Sequence, residues 1–231
     1  IKVTIKYKNY SDMKRYIFLI LTIIPTISLF GQSGDGSQAN PYFGNINSSV
    51  TWVSGRTIFI GRDQRNSDVT VTGNGILTIQ PGVTIYLTQP NSNLKITNTG
   101  IIRANGTRTQ PIRFTTQGIY WGHIAFTSNS TGISNLTYCI IEKGNATNRE
   151  GYRGGGIYAN NNNLTVSGCI IRNCSADAAG GGIYTSLSPK IENCLIYNNE
   201  CFGYQSGEGG GGVFIDAGSS ANFTNCTIAN N

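Results

Sequence analysis

The chain is patterned in short runs that set apolar residues at alternate positions. Gly75-Ile76-Leu77-Thr78-Ile79, Pro81-Gly82-Val83-Thr84-Ile85, Leu94-Lys95-Ile96, Gly100-Ile101-Ile102-Arg103-Ala104, Pro111-Ile112-Arg113-Phe114 and Ile124-Ala125-Phe126 are examples. A period of two with β-branched residues, bounded by Gly, Pro, Asn and Ser, predicts short strands separated by turns.

The runs recur. Gly154-Gly155-Gly156-Ile157-Tyr158, Gly180-Gly181-Gly182-Ile183-Tyr184 and Gly210-Gly211-Gly212-Val213-Phe214 are spaced by 26 and 30 residues. A second unit alternates with them: Cys139-Ile140-Ile141, Cys169-Ile170-Ile171, Cys194-Leu195-Ile196 and Cys226-Thr227-Ile228, spaced by 30, 25 and 32. Units this short cannot bury a core alone and must stack on their neighbours. Strands at this period predict a right-handed parallel β-helix of six or seven coils over 51–231. Equivalent residues then lie about 4.8 Å apart. Residues 32–50 read as an N-terminal arm and cap. Alternation puts Cys139, Cys169, Cys194 and Cys226 inside with Ile141, Ile171, Ile196 and Ile228. Asn173, Asn198 and Asn230 recur four residues after a ladder cysteine and predict a stacked amide ladder. The chain stops at Asn231 within a repeat, which reads as a C-terminally incomplete protein.

Composition narrows the class. Gly, Asn, Thr and Ser supply 99 of the 231 residues, which excludes a helical bundle. The net charge of +6 is concentrated at the N-terminus. Residues 1–31 carry five basic side chains against Asp12, a net of +4, and the remaining 200 residues carry only +2. The later basic residues are scattered singly, so nucleic acid is excluded as a partner. Met13-Lys14-Arg15-Tyr16, the apolar run 17–30 and Gly31 have the layout of a secretory signal peptide, with cleavage after Gly31. The apolar run spans about 21 Å, short of a bilayer core. Residues 1–12 read as upstream sequence. The expected location is outside the cell or on a bacterial surface. Contact with a membrane is expected only through export or a missing C-terminal anchor.

Six cysteines in an exported chain invite a disulfide reading. The four ladder cysteines read as buried thiols. Cys174 and Cys201, placed outside the ladder in successive turns, are the disulfide candidates. No metal-ligand spacing occurs, and no cofactor is expected. The lone His123 reads as an outward strand residue. On the outward side, Glu142, Arg172 and Tyr197 fall on successive coils. A carboxylate beside a guanidinium beside a phenol can bind sugar or exchange protons, or simply form a cross-strand pair. Tyr158, Tyr184 and Phe214 share another position. Facing outward they would make an aromatic ladder for sugar rings or a protein, and facing inward they would be core.

The glycine-run and Asn-Cys-x-Ile-x-Asn units resemble the repeats of secreted right-handed β-helix proteins of the pectate-lyase-like superfamily. They are also similar to the Gly-Gly-Ala-Ile and Phe-x-x-Asn repeats of chlamydial polymorphic outer-membrane proteins, although Phe223-Thr224-Asn225-Cys226 has Cys where that repeat has Asn. Gly34-Asp35-Gly36-Ser37, Leu77 to Val83 and Trp121 to Phe126 look like the N-terminal region of β-helix surface proteins of the Bacteroidota. The resemblance covers nearly all of 34–231. It implies the fold and export, while this scaffold carries lyases, hydrolases and adhesins alike. Resemblance to the lyases would imply carboxylates holding calcium on one outer face, and no carboxylate here repeats at the coil period. The expected function is a secreted or surface module, adhesin-like or contacting polysaccharide or host glycan. The competing expectation is a polysaccharide lyase or glycoside hydrolase whose active site lies partly beyond residue 231.

Overall fold

The computed structural model describes residues 32–65, 67–147, 152–203 and 209–231. The expected signal peptide, 13–31, and residues 1–12 lie outside the described residues. Strands wind round three faces, seven parallel strands to each, and no α-helix occurs among the described residues. Around one coil the chain runs through Ile157–Ala159 on the first face, Leu164–Ser167 on the second and Ile170–Arg172 on the third. A small fourth stack of Asn145–Ala146, Ser175–Ala176 and Glu200–Cys201 fills the corner between the third face and the next first face.

Register is in step from coil to coil. Ile141, Ile171, Ile196 and Ile228 pair in sequence on the third face, as do Ile157, Ile183 and Val213 on the first. The inward column of the third face is aliphatic because alternation sends every second residue inside, and like packs on like. Where sizes differ they compensate: Phe126 stacks on Ala159. One continuous core runs the length of the stack. The parallel stack begins earlier than the sequence suggests. Phe43–Ile46, within the expected cap, already pairs in parallel with Val69–Val71. Only the segment before it caps the end, with Gln32–Ser33 pairing antiparallel to Phe43–Gly44.

The corners break strict alternation. At the third-face corner Lys143, Asn173, Asn198 and Asn230 all hold φ between 52° and 64°. Asn tolerates this left-handed conformation better than most residues, because its short polar side chain can bond locally. Each of these residues absorbs the bend, so the next residue turns inward. The amide ladder therefore falls one position later than predicted. Asn173, Asn198 and Asn230 are bend residues on the outer side of the corner. Inside them Asn199 donates to the Ile171 carbonyl at 3.1 Å and to Asn231 Oδ1 at 2.9 Å, and its own Oδ1 accepts from the Cys174 amide at 3.1 Å.

The same shift buries Cys174, which is no turn cysteine. It also separates Cys174 from Cys201, which pairs with Ala176. Two residues along the strand and one coil across put the two Cα atoms about 8 Å apart, beyond the reach of a disulfide. Among the described residues no disulfide joins any of the six cysteines. The glycine runs have a matching steric cause. A Cβ on Gly155 would stand 2.1 Å from the Ser175 carbonyl oxygen, and one on Gly181 would stand 2.1 Å from that of Glu200. The fourth stack closes so tightly on this corner that only glycine fits.

Ile171 is fully buried, whereas Leu195, on the outer column of the same face, is 37% exposed. Ile171→Asp should prevent accumulation of protease-resistant protein, since an unpaired buried carboxylate costs several kcal/mol. Leu195→Asp should shift stability by less than about 0.5 kcal/mol. Limited proteolysis of both variants reads the difference, and equal resistance would overturn the assignment of inside and outside.

Candidate functional site

Glu142, Arg172 and Tyr197 lie in register on the outer side of the third face. A residue that sequence reasoning missed completes the group. Arg113, one coil earlier and two residues off the column, donates from Nη1 to Glu142 Oε1 at 2.5 Å. Arg172 donates from Nε and Nη2 to Oε2 at 2.9 and 2.7 Å, and from Nη1 to the Tyr197 hydroxyl at 2.9 Å. Burial pushes the Glu142 carboxyl upward, but the bonds from Arg172 and Arg113 outweigh it and hold the pKa below the ordinary 4.5. Arg172 is raised in turn by its bonds to Tyr197 and Glu142. The carboxylate is ionised at neutral pH and its oxygens are engaged by guanidinium groups. It has no proton to give, so the group acts as an ionic stitch across four coils.

Tyr158, Tyr184 and Phe214 form one column on the outer side of the first face, while Ile157 and Ile183 face the core. Their rings lie nearly parallel, with centroids 5.3 and 5.9 Å apart and interplanar angles of 10° and 7°. Each ring's faces are thus turned to its neighbours along the stack. Tyr184 is 4% exposed, with the Arg153 guanidinium 5.4 Å from its ring centre. Its hydroxyl donates to Asp216 Oδ2 at 2.5 Å. Burial and then this bond raise the Tyr184 pKa, and the same bond lowers that of Asp216. A sugar ring needs an open aromatic face, and Tyr184 offers none. The column is outward but packed.

His123 is fully buried, contrary to its reading as an outward strand residue. It precedes the strand Ile124–Phe126. Its backbone amide donates to Asn93 Oδ1, and its Nδ1 lies 3.0 Å from the Gly154 carbonyl. The interior thiols are satisfied by backbone. Cys169 Sγ lies 3.3 Å from the Leu136 carbonyl of the preceding coil, and Cys194 Sγ lies 3.7 Å from that of Val166. Burial pushes the Cys174 thiol up to about 12, and burial likewise raises Cys169 well above its ordinary value. Among the described residues no group of three or more His, Cys, Asp or Glu side chains could hold a metal ion.

Open space lies at the two corners that flank the third face. One groove, of about 520 Å³, includes Arg108, Tyr138, Ile170 and Asn193. The other, of about 350 Å³, runs past Tyr120, Lys143, Asn173, Asn198 and Phe202. Residues 119–231 match the family model described as the right handed beta helix region. The protein is a right-handed parallel β-helix. Comparison with curated proteins and with solved structures finds no match. The matched segment holds the regular glycine and cysteine units, and the looser coils from Phe43 continue the β-helix in the same register. Both grooves lie on coils of the matched segment, apart from the Arg108 edge of the larger one. Sequence parity pointed to neither, because each groove joins strand residues to bend and loop residues, where alternation fails.

The buried groups of the β-helix can be probed chemically. In native protein, alkylating reagent should reach Cys201 and Cys226, which are partly exposed, and leave Cys139, Cys169, Cys174 and Cys194 unmodified until unfolding. Peptide mass mapping checks this, and rapid labelling of Cys169 in folded protein would contradict it. For Glu142, a lowered folded pKa means that its contribution is complete above pH 4.5 and is lost as pH falls through the folded value. Glu142→Gln should cost about 1–2 kcal/mol at pH 7 and flatten the loss of stability between about pH 5 and pH 3. Urea titrations at the two pH values measure both, and an unchanged acid slope would refute the stitch.

Proposed function

We propose that this β-helix is an exported, rigid surface module that contacts glycans and carries out no bond-breaking chemistry in these coils. The observation that carries the reading is the division of labour around the third face. The charged side chains there, Arg113, Glu142 and Arg172, are committed to one another. The open grooves on either side are lined mainly by uncharged side chains, with Tyr138 and Asn193 beside Arg108 in one and Tyr120, Asn173 and Asn198 beside Lys143 and Glu200 in the other. Fixed amides and aromatic surface suit hydroxyl-rich, weakly charged ligands. The stack supplies stiffness, and the basic, apolar and glycine segment ending at Gly31 supports export to a secreted or cell-surface location. Stiffness and export together suit an adhesin-like role.

The test is to present the purified chain to arrays of plant, host and bacterial polysaccharides and to measure both retention and polymer length. The expected result is reversible retention on at least one glycan with its chain length unchanged. Retention on none would refute the reading. Depolymerisation that disappears in a folded Glu142→Gln variant would replace it with an enzyme.

A further inference from the structure

From its walls and floor, we infer that the larger corner groove is a binding site for a small amphipathic anion, a single carboxylate on an apolar body. The inference goes beyond the glycan-contacting reading and stands or falls separately from it.

The floor is apolar on the outside of a sheet. Ile140, Ile170 and Leu195 stack in register on the outer column of the third face, with Arg113 before them and Thr227 after them. Ile141, Ile171 and Ile196 fill the core side of the same strands, so the outer three are apolar without being core. Ile140 and Ile170 line the groove, with Pro111 beside them.

The wall holds a strained residue. Tyr138, Gly168, Asn193 and Asn225 occupy the same bend on four successive coils, all with φ between 46° and 63°. Gly and Asn adopt this left-handed conformation readily, and a bulky side chain does not. Tyr138 adopts it, and its ring lies against the next coil, where a Cβ on Gly168 would stand 2.7 Å from the ring atom Cε1. The bend itself asks only for Asn or Gly. An aromatic ring kept there at the cost of backbone strain is a mark of a site rather than of the rod.

The rim supplies the charge. Arg108 is exposed and forms no ion pair among the described residues, and no carboxylate lines the groove. A guanidinium receives a carboxylate through two parallel hydrogen bonds. At about 520 Å³ the groove has the size of a small-molecule site.

Other ligands fit less well. A phosphate polymer needs several cations, and one guanidinium lines this groove. An added peptide strand needs a free sheet edge, and Cys139–Glu142 is paired on both sides. A stable protein partner needs about 1,000 Å² of surface, and the apolar strip is three side chains. A hydroxyl-rich ligand would lay its hydroxyls on Ile140 and Ile170.

The test titrates the full chain by calorimetry with cinnamate and octanoate, a ring body and a flexible chain. Cinnamyl alcohol lacks the charge, and galacturonate lacks the apolar body. At least one of the first two should bind with a dissociation constant of about 0.1–1 mM. Cinnamyl alcohol and galacturonate should bind about tenfold more weakly or not at all. Arg108 is exposed, so Arg108→Gln tests the site without touching the fold. It should weaken binding about tenfold, and Arg108→Lys by less. Tyr138→Asn suits the bend, so it should weaken binding about fivefold while the melting temperature stays level or rises. A lower melting temperature with binding unchanged would make Tyr138 structural and overturn the site. Equal binding of cinnamyl alcohol or galacturonate would overturn the ligand class. Binding lost in Tyr120→Ala and kept in Arg108→Gln would place the ligand in the other groove and overturn the assignment. Absence of binding by every probe would overturn it too, whatever the glycan arrays show.

Discussion

Each coil sits one strand spacing, about 4.8 Å, from the next, so every side chain must be compatible with its own counterpart one repeat along. This constraint governs the rest of the structure. It accounts for isoleucine on isoleucine, thiol beside thiol, amide bonded to amide and ring on ring. It also accounts for the low charge. Two like charges at that distance repel by about 3–4 kcal/mol at an effective dielectric of about 20. Among the described strand positions no like charges stand in register. The one charged column that does form alternates sign, Glu142 against Arg172, and recruits Arg113 from the coil before. The composition that excluded a helical bundle is thus the composition that stacking permits.

The second constraint is the bend. A strand that turns a sharp corner needs a residue at positive φ, and the protein supplies Asn, Gly, Lys or Tyr there. Such a residue stands outside the two-residue alternation. It resets the alternation, so residues of the next face cannot be assigned by counting from the previous one. The same corner can then be closed from within by Asn199 and Cys174, or pinched until only glycine fits, as at Gly155 and Gly181. Backbone donors at the turn are met by side-chain amides, which keeps a buried, non-repetitive segment satisfied.

These two constraints divide the features that could be read from the sequence from those that could not. The β-helix, its repeat units and the interior column of Ile141, Ile171 and Ile196 were legible because they depend only on alternation within a strand and recurrence between strands. The amide ladder was placed one residue early, Cys174 was read as a turn residue and His123 as outward, because each lies just past or just before a segment where alternation is lost. Arg113 was invisible for a different reason. A guanidinium reaches across two rows and one coil, and side-chain reach leaves no mark in a repeat spacing. The aromatic column was found, but its ring orientation was not, since planes are set by packing after the register is fixed.

Ring orientation bears directly on where a β-helix can bind anything. Aromatic residues in a stacked column satisfy one another, and their faces are committed to stability. A ring becomes available to a ligand only when the coils above and below lack an equivalent, which happens in loops and at bends. Tyr120 lies outside the stacked columns, in the loop before Trp121, and is exposed. The interior and the columns therefore make the rod, and the irregular corners hold its open grooves. In a scaffold built on like packing against like, the surface that stacking does not use belongs to the residues that fail to repeat.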